Sequence, residues 1–217
     1  MSGRFAAVLA LCAGLLALPA PAQSPSVDAH AIILKMTGRN PDLTSYRAPV
    51  HVDVRMLNFP FLSPKLDGTT YYKRPGKYEV VFTRVPSYAK GFEKLFNDVG
   101  DPGSWEKDQN VTYAGTQQMD GRPLMVLNMT KKIHSTILDH TVAFVDPQSY
   151  ELWTMEWHYS SGGTITMRQW YRSDGAFNVL SQQHAEINIP HVHAVADSQY
   201  GMYQTNVAVD DSVFTKK

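Results

Sequence analysis

Cysteine is almost missing from this chain: among 217 residues there is one, Cys12. Everything beyond it must fold without a disulfide scaffold and cannot use thiol chemistry. An excess of either charge is missing too, with 20 Lys and Arg against 20 Asp and Glu. That balance argues against nucleic acid and against bulk attraction to anionic membranes. After the first twenty residues no run approaches the ~18 consecutive apolar residues of a membrane-spanning helix. There is no G-x-S-x-G, no H-E-x-x-H and no glycine loop to cradle phosphate, and no nucleophile with a matched base can be read from spacing. The expectation is a non-enzyme with no catalytic residues and no cofactor.

What is present begins with a leader. "MSGRFAAVLALCAGLLALPAPAQ" has a cationic Arg4, a short apolar core from Phe5 to Leu18, and Pro19 ahead of Ala20-Pro21-Ala22. This reads as a secretory signal cleaved after Ala22. Its removal takes away only Arg4, leaving 19 basic against 20 acidic side chains. Cys12 lies inside the apolar core behind the bulky Leu11, which argues against lipidation. Residues 23–217 have the size of one domain with an ordinary hydrophobic core, and no linker or repeat divides them.

The periodicity predicts a helix within 24–45, with Ser26 as N-cap, Asp28 at the positive end of the dipole, and Ile32, Ile33 and Met36 as its apolar stripe before Gly38 and Pro41. From "YRAPVHVDVRML" onward the period is two, with further alternating or apolar runs at 77–83, 123–131, 136–146, 150–159, 164–172 and 176–189. Asp146-Pro147, Gly162-Gly163 and Asp174-Gly175 mark turns between them. This is a meander of antiparallel strands. One more helix interrupts it: in "SYAKGFEKLFNDVG" Phe92, Leu95, Phe96 and Val99 recur at helical spacing, with Ser87 and Gly100 at the ends. That stripe either covers one end of the core or forms a lid over a cavity.

In "ELWTMEWHY" strict alternation places Trp153, Met155, Trp157 and Tyr159 on one face, and in "TITMRQWY" it places Ile165, Met167 and Tyr171 together. Aromatics mixed with flexible thioethers make an adaptable apolar lining for a ligand, or else a packed core. His191 and His193 share a strand face at H-x-H spacing but lack a third ligand, so no metal site is expected. Asn110-Val-Thr and Asn128-Met-Thr fit a glycosylation sequon.

One stretch stands apart: "GTTYYKRPGKYEVVF", where Lys73, Arg74, Pro75, Gly76 and Lys77 interrupt sheet. It resembles the strand, K-R-P, strand segment of the bacterial periplasmic lipoprotein-carrier (LolA-like) proteins, and Val145-Asp146-Pro147 resembles their "VDP" turn. The order of signal, first helix, strands, helical insertion and meander is similar over most of the mature chain. The resemblance implies a mainly β (α+β) fold: a curved antiparallel sheet forming a half-open, unclosed barrel, covered by the N-terminal helix and a short lid helix. It also implies an apolar cavity for acyl chains of lipoproteins or other lipids, and Arg74 hydrogen-bonded to the lid. Partners would be an inner-membrane transporter and an outer-membrane acceptor, with the carrier a monomer. The chain departs from the pattern after the second strand, where "GDPGSWEKDQN" replaces a D-G-x-x-L-W-x-Y strand. Besides a lipid carrier, two readings stay open: a regulatory sensor module on the same scaffold, and a secreted hydrolase or metal-binding protein using His191 and His193.

Overall fold

The structure is a computed structural model that describes residues 28–87, 96 and 99–215. Eleven strands form one antiparallel sheet: β1 (Ser45–Met56), β2 (Lys65–Lys73), β3 (Lys77–Phe82), β4 (Gln109–Met119), β5 (Arg122–Lys131), β6 (Leu138–Val145), β7 (Leu152–Tyr159), β8 (Thr164–Asp174), β9 (Phe177–Ile189), β10 (Val192–Tyr200) and the short β11 (Gln204–Thr205). Their order is β3-β2-β1-β10-β9-β8-β7-β6-β5-β4, with β11 on β1, and β3 and β4 do not meet. The expected mainly β, half-open barrel is what the chain forms. Every neighbour in that path is also adjacent in sequence except β1 and β10, which pair from Val50↔Tyr200 to Met56↔Ala194.

Two short helices with both ends among the described residues accompany the sheet, α1 (Ala29–Thr37) and α2 (Trp105–Asp108). Asp28 caps α1 by accepting from the His30 amide, and Gly38 closes it through Leu34 O. The expected cap Ser26 and the leader lie outside the described residues. Ile32, Ile33 and Met36 are buried, as their spacing predicts, and pack on the sheet. The segment "DPGSWEKD" gives a 3₁₀ turn and then α2, whose Trp105 is buried in the same core. His30 Nδ1 lies 2.7 Å from Glu106 Oε2, which ties α1 to α2. No helix among the described residues is long and apolar enough to cross a membrane.

Turn chemistry sets the meander. Asp120 and Gly121 take positive φ in the two-residue turn between β4 and β5, and Gly162 and Gly163 do so between β7 and β8. In the "VDP" turn the Asp146 carboxylate accepts from the amides of Gln148 and Ser149.

The helix-covered face holds the main core, which includes Val50, Leu127, Met155, Trp157, Ile165 and Met167. A smaller cluster of Leu124, Val126 and Phe144 occupies the other face, and Trp153 packs against it. Trp153 therefore does not share a row with Met155 and Trp157. The cause is one extra residue in β7 between the pairs Phe144↔Thr154 and Val145↔Leu152, which shifts the alternation and turns Leu152 inward in its place.

Candidate ligand-binding site

The K-R-P-G stretch is the turn of a hairpin. Lys73 pairs with Lys77, Arg74 to Gly76 bridge them, the Arg74–Pro75 peptide bond is cis, and Gly76 has φ +55°. Tyr72 and Tyr78 stand equally far from this turn and so face one another across the hairpin. Tyr46 on β1 is opposite Tyr72 on its other side, and the two rings stack at 5.3 Å. Tyr203 meets Tyr46 edge-on at 5.0 Å.

Tyr46, Tyr72 and Tyr78 wall a cavity of about 630 Å³ at this end of the half-barrel. It extends from the C-terminal end of α1, through the Arg74–Gly76 turn, to the 99–103 segment, with Leu152, Tyr171 and Val179 on the sheet side. Burial raises the phenols of Tyr46, Tyr78 and Tyr171 above their ordinary value, so each remains a neutral donor. Tyr171 donates to Gln169 Oε1 at 2.6 Å.

Charge is confined to the rim. Arg74 donates Nη1 to Pro41 O and Nη2 to Asn40 O, both at 2.8 Å, and so ties the hairpin turn to the loop after α1. Arg39 stacks on the Tyr171 ring at 4.5 Å and stands 3.7 Å from Glu151. Lys107 is exposed at the mouth, near Asp101. Burial pushes the Asp101 carboxyl upward, opposed in part by Lys107 and by hydrogen bonds from Ser104 and Gly103. Three cations and one carboxylate of weakened acidity thus edge an aromatic chamber.

No protein-family model matches the chain, and no curated protein matches it in sequence. Solved structures do match. A LolA superfamily protein from Nitrosomonas europaea superposes with a TM-score of 0.65 at 14% identity, over 88% of this chain and 99% of that one. The chain shares the fold of that LolA superfamily protein. A DUF1329 family protein from Desulfovibrio piger follows at 0.64 and 11% identity, over 85% and 95% of the two chains. A domain described as an outer membrane lipoprotein-sorting protein, from Vibrio parahaemolyticus, gives 0.63 and 10%, again over 85% and 95%.

Within this LolA-like fold the expected site residues separate into groups. Arg74 and Val99 line the cavity. Among the described residues Arg74 bonds to the loop following α1, and most of the inserted helix, the lid to which the resemblance ties it, lies outside them. Phe96 is buried, edge-on to Phe82 at 5.7 Å, and Phe92 and Leu95 lie outside the described residues. Met155, Trp157, Ile165 and Met167 are at most 2% exposed and lie in the packed core, away from the cavity lining. Tyr159 is half-buried at the core's edge, and Trp153 lies on the opposite face between Arg122 and Arg168, 4.5 and 4.9 Å from their guanidinium carbons. His191 sits in the β9–β10 turn with φ +68°, so it does not share a strand face with His193. The lining residues that the sequence reading missed are Arg39, Asn40, Tyr46, Tyr72, Tyr78 and Asp101. Their signal was the symmetric placement of Tyr72 and Tyr78 about the turn.

Proposed function

We propose that this chain is a non-enzymatic periplasmic carrier, exported by its leader and cleaved after Ala22, that holds acyl chains of a lipoprotein or another lipid for transfer toward the outer membrane. The observation that carries the reading is the aromatic chamber at the Arg74 end of the half-barrel, bounded by α1, the K-R-P turn and the 99–103 segment. Its volume falls within the ~300–1,000 Å³ of small-molecule sites. Each methylene buried there contributes about 0.8 kcal/mol, so one chain is held firmly and release becomes the controlled step. Neutral tyrosines suit the apolar part of such a cargo. Arg39, Arg74 and Lys107 suit an anionic or strongly polar head.

Phe96 and Val99, with Phe92 and Leu95, would form the lid, and Met155, Trp157, Ile165 and Met167 would be the surface that further acyl chains meet when it lifts. The Vibrio parahaemolyticus neighbour's description as a lipoprotein-sorting domain is in keeping with this role. An inner-membrane transporter would load the carrier and an outer-membrane acceptor unload it.

Native mass spectrometry of the chain purified from its own envelope without detergent tests the proposal. A dissociable acyl lipid or lipopeptide is expected. An apo mass that also stays unchanged after incubation with a long-chain fatty acid or a lysophospholipid would remove the carrier role.

A further inference from the structure

The hairpin that carries Arg74 is the cavity wall with the least support from backbone pairing. β3 is six residues long and ends the sheet, since it pairs with β2 and does not meet β4. β1 begins opposite Lys73, so residues 74–76 project beyond it. Edge elements with few paired neighbours are drawn from the low-stability end of a fold and open first. Tyr72 and Tyr78 face the cavity from this hairpin. Lys73 and Lys77 are their neighbours in each strand, so they point to the opposite face, where they pair directly with one another. Two ammonium groups opposed on one face of a ladder repel.

The segment after β11 answers that repulsion. The chain turns at Asn206, which has φ +54°. Asn206 Oδ1 accepts from the Thr44 amide and hydroxyl, and its own amide donates to Ser45 O, so this corner is fixed to the start of β1. From there the segment crosses three strands in turn. Ser45 of β1 donates to Val207 O, Lys73 of β2 to Val209 O, and Lys77 of β3 lies over the Phe214 ring at 5.9 Å. Asp211 Oδ1 accepts from both ammonium groups, 2.8 Å from Lys73 and 3.0 Å from Lys77. The hydrogen bond from Lys73, followed by that from Lys77, holds its carboxyl below the ordinary value. The neighbouring Asp210 turns its carboxylate to the Ser212 amide instead.

We infer that residues 206–215 are a clasp on the moving wall of the cavity: with Asp211 seated between Lys73 and Lys77 the β2–β3 hairpin stays in place, and when Asp211 leaves, the hairpin swings out and cargo exchanges. Arg74 holds the same turn from its other side, through the carbonyls of Asn40 and Pro41. The clasp differs in being made of full charges on both sides. Asp211 is 59% exposed, so dissolved ions reach it. Salt therefore loosens the clasp, because at about 1 M the screening length is only ~3 Å. Lys73, Lys77 and Asp211 are positioning residues that act through Tyr72 and Tyr78. The cargo half of this inference rests on the carrier reading, whereas the motion of the hairpin does not.

The test is amide hydrogen exchange of the purified chain without cargo, at low salt and at about 1 M sodium chloride. Exchange in β3 is expected to quicken about threefold with salt, the size of one exposed ion pair, while β8 does not respond. Asp211→Asn should exchange β3 at the fast rate in both conditions, and Asp211→Glu should recover part of the salt response. Protection of β8 as in the parent certifies that each variant is folded. Release of a neutral fluorescent long-chain alcohol, on which salt has no headgroup to act, should follow the same pattern. A β3 rate indifferent to salt in the parent, or a salt response that survives in Asp211→Asn, overturns the inference. So does an alcohol that binds but leaves at one rate throughout, which would keep the carrier reading and deny that the hairpin is its door. An alcohol that never binds counts against the carrier reading, and the β3 rates then decide the clasp by themselves.

Discussion

Gly100 lies flat against the ring of Tyr78, and a Cβ at this position would come within 2.2 Å of the ring carbons. One wall of the cavity, the 99–103 segment, is thereby pressed onto the hairpin that carries Arg74. Gly100→Ala must push the two apart. Overpacking of this kind costs ~1–3 kcal/mol. A lower melting temperature is expected together with faster loss of a bound fluorescent fatty acid. A variant that melts like the parent and releases at the same rate would show that this contact does not hold the cavity.

Arg74 anchors the same hairpin from its other side, to the carbonyls of Asn40 and Pro41. A hydrogen bond from a charged donor contributes ~1.5–3 kcal/mol, toward the lower end at an exposed position such as this. Arg74→Leu should therefore leave the protein folded, with a lower urea midpoint and altered uptake and release. Arg74→Lys should restore little, because an ammonium cannot fork to two carbonyls. Unchanged exchange rates in Arg74→Leu would take the residue out of the mechanism.

Asp101 makes the rim sensitive to pH. Its folded-state carboxyl lies above its ordinary value near 3.8, chiefly because it is buried. A raised acid favours the folded state while both states are protonated, below about pH 3.8, and that benefit is lost as pH rises through the folded value. Asp101→Asn removes the cost at neutral pH. The variant is expected to melt higher than the parent at pH 7, with the difference closing in acid, and to hold an anionic amphiphile more tightly. A variant less stable at pH 7 would mean that the carboxylate's hydrogen bonds outweigh its burial.

Core and cavity can be separated by paired substitutions. Trp157 is fully buried on the helix-covered face, and Trp157→Ala should cost ~3–5 kcal/mol in chemical denaturation. Tyr72 only lines the cavity's edge, so Tyr72→Leu should change stability little and shift cargo preference instead. Equal stability losses in the two would place both in one continuous core.

The sheet was legible because its strands alternate and its turns use Gly and Asp-Gly, and α1 because Ile32, Ile33 and Met36 repeat at helical spacing. β4 was not. Its burial alternates between half-buried and exposed along much of its length, as befits an edge strand, and Gly115 sits at a register shift. Trp153 was misread for a related reason, since one inserted residue reverses inside and outside without any mark in the composition. The binding residues were the least legible. Arg39, Tyr46, Tyr72 and Asp101 come from four separate segments, and only the pairing of β1, β2 and β3 and the fall of the chain at 99–103 bring them to one cavity.

The pairing of β1 with β10 has a kinetic meaning. From β4 to β10 each hairpin can close as soon as its second strand exists, because every partner is the next strand in the chain. The three N-terminal strands cannot join until β10 arrives, some 140 residues after β1. Loop closure over that distance is slow, and a chain made from its N-terminus outward spends most of its synthesis without a finished sheet. The strand that completes the fold is among the last to appear, so premature folding is withheld by topology itself.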